Sequence, residues 1–285
     1  MAFQDTIGDR MKNNYENISK TRLMRRTPVA VRLDGRAFHT FTRGFNKPFD
    51  LLLVETMQGT MRYLCENIQG CIFGYTQSDE ITLILVDYQT LESEAFFNYE
   101  VQKMCSVIAS MATAYFNQWF EARVNVYKKT YNTNFFPECW NNNLDNEKYV
   151  ETLTNAAYKG ATFDCRVFNI PKEEVANLIY WRQLDAMRNS IQMVGQANFS
   201  HKELQGKSCE NIKEMLAEKD IFYENDFPIY LQRGSACRRI NVEYPKVNET
   251  TGEIEKININ KWSIDHNMPI IKEDRDYIEK LIYFD

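Results

Sequence analysis

Apolar positions divide the chain into segments of two different periods. Thr27–Leu33 (TPVAVRL) sets branched Val29 and Val31 in an extended run behind Pro28, a residue tolerated at the first position of a strand, and the run stops at Asp34-Gly35. From Leu51 the spacing turns helical, with Leu53, Met57, Met61 and Leu64 recurring every three or four residues and Asp50 in the N-cap position. CIFGYT and ITLILVDY then read as strands, separated only by Gln77-Ser78-Asp79-Glu80, the length of a tight hairpin connection. Ala95 to Phe120 has a helical pattern with almost no charge after Lys103, so one face should be buried.

Residues 121–160 are rich in Asn, Tyr and Thr without a sustained period, and read as an irregular insertion. TFDCRVFNI resumes strand character before Pro171, where proline and acids start a long helix carrying WRQLDAMRNS. Ser200 and Ser208 have the spacing of N-caps for two short helices. IYLQRGSACRRINVEY and KININKWSI read as a terminal hairpin around the NETTG loop at 248–252, and the tail from Lys272 as a last short helix. Strands and helices alternating in this way predict an α/β or α+β layered domain. One elaborated domain over residues 1–248 is expected, with 249–285 as a C-terminal extension of it.

Composition narrows the class without naming a function. At 285 residues, with 44% hydrophobic and 26% charged, the chain can bury a core unaided. The first twenty residues are too polar for a secretory signal, and no apolar run is long enough to cross a bilayer, so a cytoplasmic protein is expected. Seven scattered cysteines without a CxxC pair suggest neither a disulfide framework nor a zinc site, and read as reduced, mostly buried thiols. A net charge of −5 argues against a general nucleic-acid coat protein. Two basic runs, Lys20 to Arg26 and Arg233 to Arg239, are either local phosphate contacts or solvated faces.

The candidate chemistry lies in the first eighty residues, where one strand ends in Asp34 and a neighbouring hairpin turn presents Asp79 and Glu80. Carboxylates on rigid strand ends suit a pair of hard Mg²⁺ ions, which take few oxygen ligands from protein and leave the rest to water and phosphate. Gly35 allows close backbone approach and offers a carbonyl; Arg36, His39, Arg43 and Lys47 follow as cationic donors for a triphosphate. Taken singly, Asp34-Gly35 is also what a plain turn looks like, and Gln77 to Glu80 a plain hairpin tip.

VRLDGRAFHTF (Val31 to Phe41), then Lys47-Pro48, then GYTQSDEITLIL (Gly74 to Leu85) together resemble the signature of the tRNA-histidine guanylyltransferase-like family of reverse, 3′-to-5′ polymerases. RVFNIPKEEV, YWRQLDAMRNSIQ, FSHKELQGKS and PIYLQRGSA extend the resemblance over residues 25 to 240, leaving out the stretch after Glu121. It implies an α+β, polymerase- or cyclase-like palm: a ferredoxin-like βαββαβ core, an antiparallel sheet with helices on one face, and helical and β-hairpin additions. It also implies a Mg²⁺-dependent nucleotidyltransferase that uses ATP to adenylylate a tRNA 5′ end. GTP or another nucleoside triphosphate is then added there by two-metal transfer in a homotetramer.

Carried over by resemblance, Asp34, Asp79 and the Gly35 carbonyl would hold metal. Arg36, Ala37, Phe38 and His39 would lie along the incoming nucleotide, Lys47 would clamp phosphate and Ser78 would hydrogen-bond nearby. Glu80 would be an acidic accessory. Arg32, Arg182, Gln183, Asp185, Arg188 and Asn189 would serve the activation site or the RNA end. Members that add a single guanylate carry a His-x-Asn-Asn tetrad where this chain reads Met187-Arg188-Asn189-Ser190. That departure is similar to the bacterial-type members, which implies templated 5′-end repair of tRNA; a single-G transferase, a palm-type nucleotide cyclase and a non-catalytic tRNA binder are the alternatives. Lone His201 and His266 read as surface or hydrogen-bonded residues, and Tyr115, Phe116, Trp119 and Phe120, at helical spacing, as core.

Overall fold

The computed structural model describes residues 6–131, 146–247 and 254–284. An N-terminal helix α1 (Thr6–Asn14) precedes strand β1 (Val29–Gly35), the short α2 (Phe38–Phe41), helix α3 (Leu51–Asn67), the hairpin β2 (Cys71–Gln77) and β3 (Glu80–Leu85), and helix α4 (Val101–Tyr131). Then come α5 (Asn146–Lys159), β4 (Phe163–Asn169), α6 (Lys172–Asn198), the short α7 (His201–Leu204), α8 (Cys209–Ala217), α9 (Tyr223–Asp226) and α10 (Ile229–Arg233). A second hairpin, β5 (Ser235–Val247) and β6 (Ile254–Asp265), and α11 (Asp276–Ile282) complete the described chain.

One six-stranded sheet runs in the order β4-β1-β3-β2-β5-β6, antiparallel at every step. β1-α3-β2-β3-α4-β4 is the expected βαββαβ unit, with both of its helices on one face. Alternation explains the packing: Val29, Val31 and Leu33 point to that face with Ile81, Leu83 and Leu85, against Met57, Met61 and Leu64 of α3 and Met104, Ile108, Phe116 and Phe120 of α4. Burying each of these side chains stabilises the fold by about 1.5–3 kcal/mol.

The expected helical additions, α6 and α11, cover the other face of the sheet. Ala30, Phe73, Tyr75 and Ile84 meet Val175, Leu178 and Ile179 of α6 and Ile278 and Ile282 of α11 there. The sheet is thus a middle layer, which is why residues 71–76 of β2 are buried throughout instead of alternating with solvent.

Residues 121–160 are not an irregular insertion over their described parts. The buried stripe of α4 continues through Val124 and Tyr127, and α5 follows with Tyr149, Leu153 and Ala156 in the same core. Exposed Glu121 and the polar residues of α5 hid a one-sided apolar pattern. Residues 132–145, with Cys139, lie outside the described residues, as do the NETTG loop and the 248/249 boundary.

Two boundaries also differ. The long helix begins at Val101, because Phe97, Asn98 and Tyr99 hold left-handed φ of 48°, 51° and 54°. Ile229–Arg233 is a helix instead of part of a strand, closed by Gly234 at φ 84°; a Cβ there would lie 2.6 Å from the Tyr75 hydroxyl. Asp50 caps α3 by accepting from the Leu53 N–H at 3.1 Å, and Ser200 and Ser208 both close capping boxes, as expected.

Of the four α4 aromatics at 115–120 expected to be core, Phe116 and Phe120 are core, whereas Tyr115 is half-buried and Trp119 exposed, so the core reading holds for two. Cys65, Cys71 and Cys237 are buried and Cys105, Cys165 and Cys209 partly so, all as free thiols. Exposed His201 and the Gln58-bonded His266 match their expected roles. Among the described residues no helix is long and apolar enough to cross a membrane.

Candidate active site

Asp34 stands one residue before the end of β1, between Glu80 on β3 and Asp164 on β4. Directly paired residues of neighbouring strands project to the same face, so three carboxylates crowd together. Burial, then the charges of Glu80 and Asp164, raise the Asp34 carboxyl above its ordinary range, against the pull of Arg166 and Arg32.

The β2–β3 turn is only Ser78-Asp79, with Ser78 in the left-handed region at φ 52°. The Gly35 N–H donates to the Asp79 carbonyl at 3.1 Å, stitching this turn to the end of β1 and bringing Asp79 beside Asp34. Burial pushes the Asp79 carboxyl up to about 6; the Ser78 hydroxyl, donating to its Oδ1 at 3.1 Å, opposes this, and the charges of Asp34 and Glu80 add to it.

Gly35 is required for space. A Cβ there would come within 2.3 Å of the Phe38 ring, and that ring is buried against Phe41, Phe116 and Phe163 at centroid distances of 5.1, 5.7 and 5.3 Å. The chain then turns: the Arg36 N–H donates to the Thr162 carbonyl at 2.9 Å, Ala37 adopts φ 55°, and α2 begins. A cavity of about 500 Å³ opens beside this turn. Gly35, Ala37, Phe38, His39, Lys47, Ser78 and Asp79, seven of the expected residues from three separate segments, lie in its walls. Half-buried Asp34 and exposed Arg36 flank Gly35 in sequence but lie outside that lining.

Glu80 faces arginines. Its Oε2 accepts from Arg182 at 2.7 Å and from Arg32 at 3.3 Å, and the buried Arg182 guanidinium lies 3.7 Å from the centre of the Trp181 ring. Arg182 also approaches Asp185 at 3.5 Å, and Asp185 pairs with Arg188 and Asn189. Arg32, Arg182, Asp185, Arg188 and Asn189 therefore form one network with Glu80. Gln183 does not join it: fully buried, its amide donates to the Pro269 carbonyl and accepts from the Ile271 N–H, both at 2.9 Å, anchoring the C-terminal segment. Residues one position apart on a helix point about 100° apart, which a linear motif conceals.

Most arginines of the two basic runs make contacts within the fold, whereas Arg22 is exposed and, among the described residues, only its backbone pairs, with Glu100. Arg25 and the Arg26 N–H bind the buried carboxylate of Asp87 at 2.5 and 2.8 Å. Arg233 donates to the Met268 carbonyl, Arg238 lies over Tyr277 and Arg239 over Trp262. Sequence reasoning missed Asp164, Met193 and Gln196. The last two line the cavity from α6 and fall with Asn189 at i, i+4, i+7, a spacing that could have marked the face.

Among the described residues no three Asp, Glu, His or Cys side chains form a closed metal cluster. Two neighbouring carboxylates whose protonation is favoured by burial and mutual repulsion, of which Asp79 lines a cavity with an exposed lysine and Asp34 lies just outside it, instead make an open site for a hard cation and its anionic ligand.

Residues 8–171 match the family model described as tRNAHis guanylyltransferase. The fold is similar to that of a bacterial tRNA(His) guanylyltransferase-like protein in complex with ATP, at 37% identity and a TM-score of 0.75, over 98% of this chain and 100% of that one. The complex of such a protein with GTP gives 36% identity and a TM-score of 0.72 over the same shares. An uncharacterized protein of Acanthamoeba polyphaga mimivirus is 28% identical over 245 residues, 82% of this chain and 77% of that protein.

Proposed function

This chain belongs to the tRNAHis guanylyltransferase family, and from that membership we propose that it adds nucleotides in the 3′-to-5′ direction to the 5′ end of tRNA, copying the opposite strand of the acceptor stem. The observation that carries the reading is the convergence of Gly35, Ala37, His39, Lys47, Ser78 and Asp79 on one cavity next to Asp34. Bacterial-type relatives with ATP and with GTP, similar over nearly the whole chain, support nucleoside triphosphates as its substrates.

In this reading Asp34, Asp79 and the Gly35 carbonyl hold Mg²⁺, which, when bound, supplies Lewis-acid stabilisation of phosphate charge and lowers the pKa of an attacking hydroxyl. The donor set fits: two crowded carboxylates offer hard oxygens and leave the remaining positions to water and triphosphate. Lys47 neutralises phosphate from the cavity wall, with Arg36 and His39 on the approach. Ser78 fixes Asp79 by donating to Oδ1. Arg32 and Arg182 hold Glu80 away from ligation and, with Asp185, Arg188 and Asn189, present a charged surface to the RNA end or the activating nucleotide.

The chemistry balances in two steps. A 5′-monophosphate attacks the α-phosphorus of ATP, releasing pyrophosphate and leaving the RNA 5′-adenylylated. The 3′-hydroxyl of the incoming nucleotide then attacks the 5′-phosphorus of the RNA, and AMP leaves. Pairing with the opposite strand chooses the nucleotide, so the cavity needs no base-reading group. A cytoplasmic homotetramer in which several subunits share one tRNA is part of the proposal, carried from the family resemblance, with a net charge of −5 leaving each chain only local basic patches.

The test is to incubate the protein with Mg²⁺, ATP, all four nucleoside triphosphates and a 5′-truncated, 5′-monophosphorylated tRNA, then map the product's 5′ end. Extension that follows the opposite strand and stops at the complete stem is the expected result. A single G whatever the template makes the chain a guanylate-adding enzyme instead, and no extension of a bound RNA rejects the polymerase reading.

A further inference from the structure

The cavity wall that carries Lys47 is the irregular segment between α2 and α3, and an element with no residue in the cavity holds it. The Asp50 carboxylate takes three hydrogen bonds: Oδ1 accepts from the Leu53 N–H at 3.1 Å, and Oδ2 from the Asn46 N–H at 3.1 Å and from the Tyr149 hydroxyl at 2.6 Å. Only the first belongs to helix capping. The other two tie the segment before the helix to itself and to α5. Asp50 and Tyr149 are 5% and 6% exposed, so neither group exchanges its partner freely with water.

The Tyr149 ring is fixed edge-on to Tyr127, with centroids 5.5 Å apart. A second contact meets the segment at its other end. Gly44 sits at φ 87° against Thr152, where a Cβ would lie 3.2 Å from Cγ2. Tyr149 and Thr152 are three apart on one face of α5, so that face underlies the segment at both ends. Burial raises the Asp50 carboxyl while its hydrogen bonds lower it, that from Tyr149 most among them. Without the hydroxyl, a buried carboxylate loses its strongest compensation and the Asn46–Asp50 segment its hydrogen bond to α5, leaving the packing of Phe49 against Phe227 to hold it.

We infer that Tyr149 is a positioning residue for nucleotide binding: through Asp50, it holds the Asn46–Asp50 wall, and with it Lys47, in the arrangement that receives a triphosphate. The inference rests on the reading of the cavity as the nucleoside triphosphate site. Its test uses binding instead of turnover, so it does not depend on what is done to the RNA.

In the full-length chain, Tyr149→Phe should weaken the binding of GTP and ATP, measured calorimetrically with Mg²⁺, by about three- to tenfold, the size of one ordinary net hydrogen bond and so part of what the Tyr149–Asp50 bond contributes. The affinity for tRNA without nucleotide should stay unchanged. Asp50→Asn retains an oxygen for the cap and should weaken binding similarly, and the double variant should bind no more weakly than the worse single one. Wild-type nucleotide affinity in Tyr149→Phe with a lowered melting temperature, or additive losses in the double variant, would show a purely structural bond and overturn the inference. If the wild-type protein binds neither nucleotide, the reading of the cavity fails and takes this inference with it.

Discussion

Asp79→Asn removes one negative charge from the crowded site at nearly constant shape, and it should make the metal-free protein more stable. Its carboxyl is raised from the ordinary 3.8 to about 6, chiefly by burial. The folded state therefore holds a proton more tightly than the unfolded one, and stability falls as pH rises from about 4 through about 6. Above that window the full penalty stands; below it there is none. At about 1.4 kcal/mol per pH unit the ceiling is about 3 kcal/mol, and screening at a partly open site reduces it to about 1–2 kcal/mol. The amide oxygen still accepts from Ser78, so no hydrogen bond need be lost.

Urea unfolding at pH 8 in EDTA should show Asp79→Asn more stable than wild type by that amount, with the gap closing at pH 4. Millimolar Mg²⁺ should then stabilise the wild type alone, since a ligand stabilises only the state that binds it. Nucleotidyl transfer should be lost in the same variant, an exchange of stability for function expected where like charges are gathered for catalysis. A variant less stable than wild type at pH 8, or a gain that persists undiminished at pH 4, would refute this account of the site.

Gly35→Ala should destabilise the fold by about 1–3 kcal/mol through overpacking against Phe38 and weaken nucleotide binding with it, because that ring lines the cavity; a melting temperature equal to wild type would contradict the packing argument. Glu80→Gln should cost about 1–2 kcal/mol by weakening its pairs with Arg182 and Arg32, discounted for the partial exposure of Glu80, while leaving the Mg²⁺ dependence of turnover unaltered. A tenfold rise in the Mg²⁺ needed for half-maximal turnover would instead make Glu80 a metal ligand.

Local signals made the core elements between Val29 and Leu85 legible, though not the short helices α1 and α2. An apolar run that stops at Asp34-Gly35, a capped helix at Asp50 and a two-strand hairpin through Asp79 each depend on neighbours within a few positions, and each forms as read. The long α4 was half legible: its stripe runs to Tyr127, but charges entering from Glu121 on break the composition without breaking the period.

What the sequence determined by itself is the elements of the palm core and the positions of the two carboxylates near the ends of its strands, because propensity, capping and turn geometry are local; α5 and α10 it did not give. Tertiary structure alone decided which side of the sheet each helix covers. It separated Gln183, which anchors residues 269–271, from Arg182, which grips Glu80, and tied Arg25, Arg26 and Arg233 of the two basic runs into the scaffold. It also set Asp164 beside Asp34 and Tyr149 beneath Asp50 across gaps of 130 and 99 residues. Such contacts follow from strand register and layer packing, which are summed over the whole fold, and no window of sequence contains them.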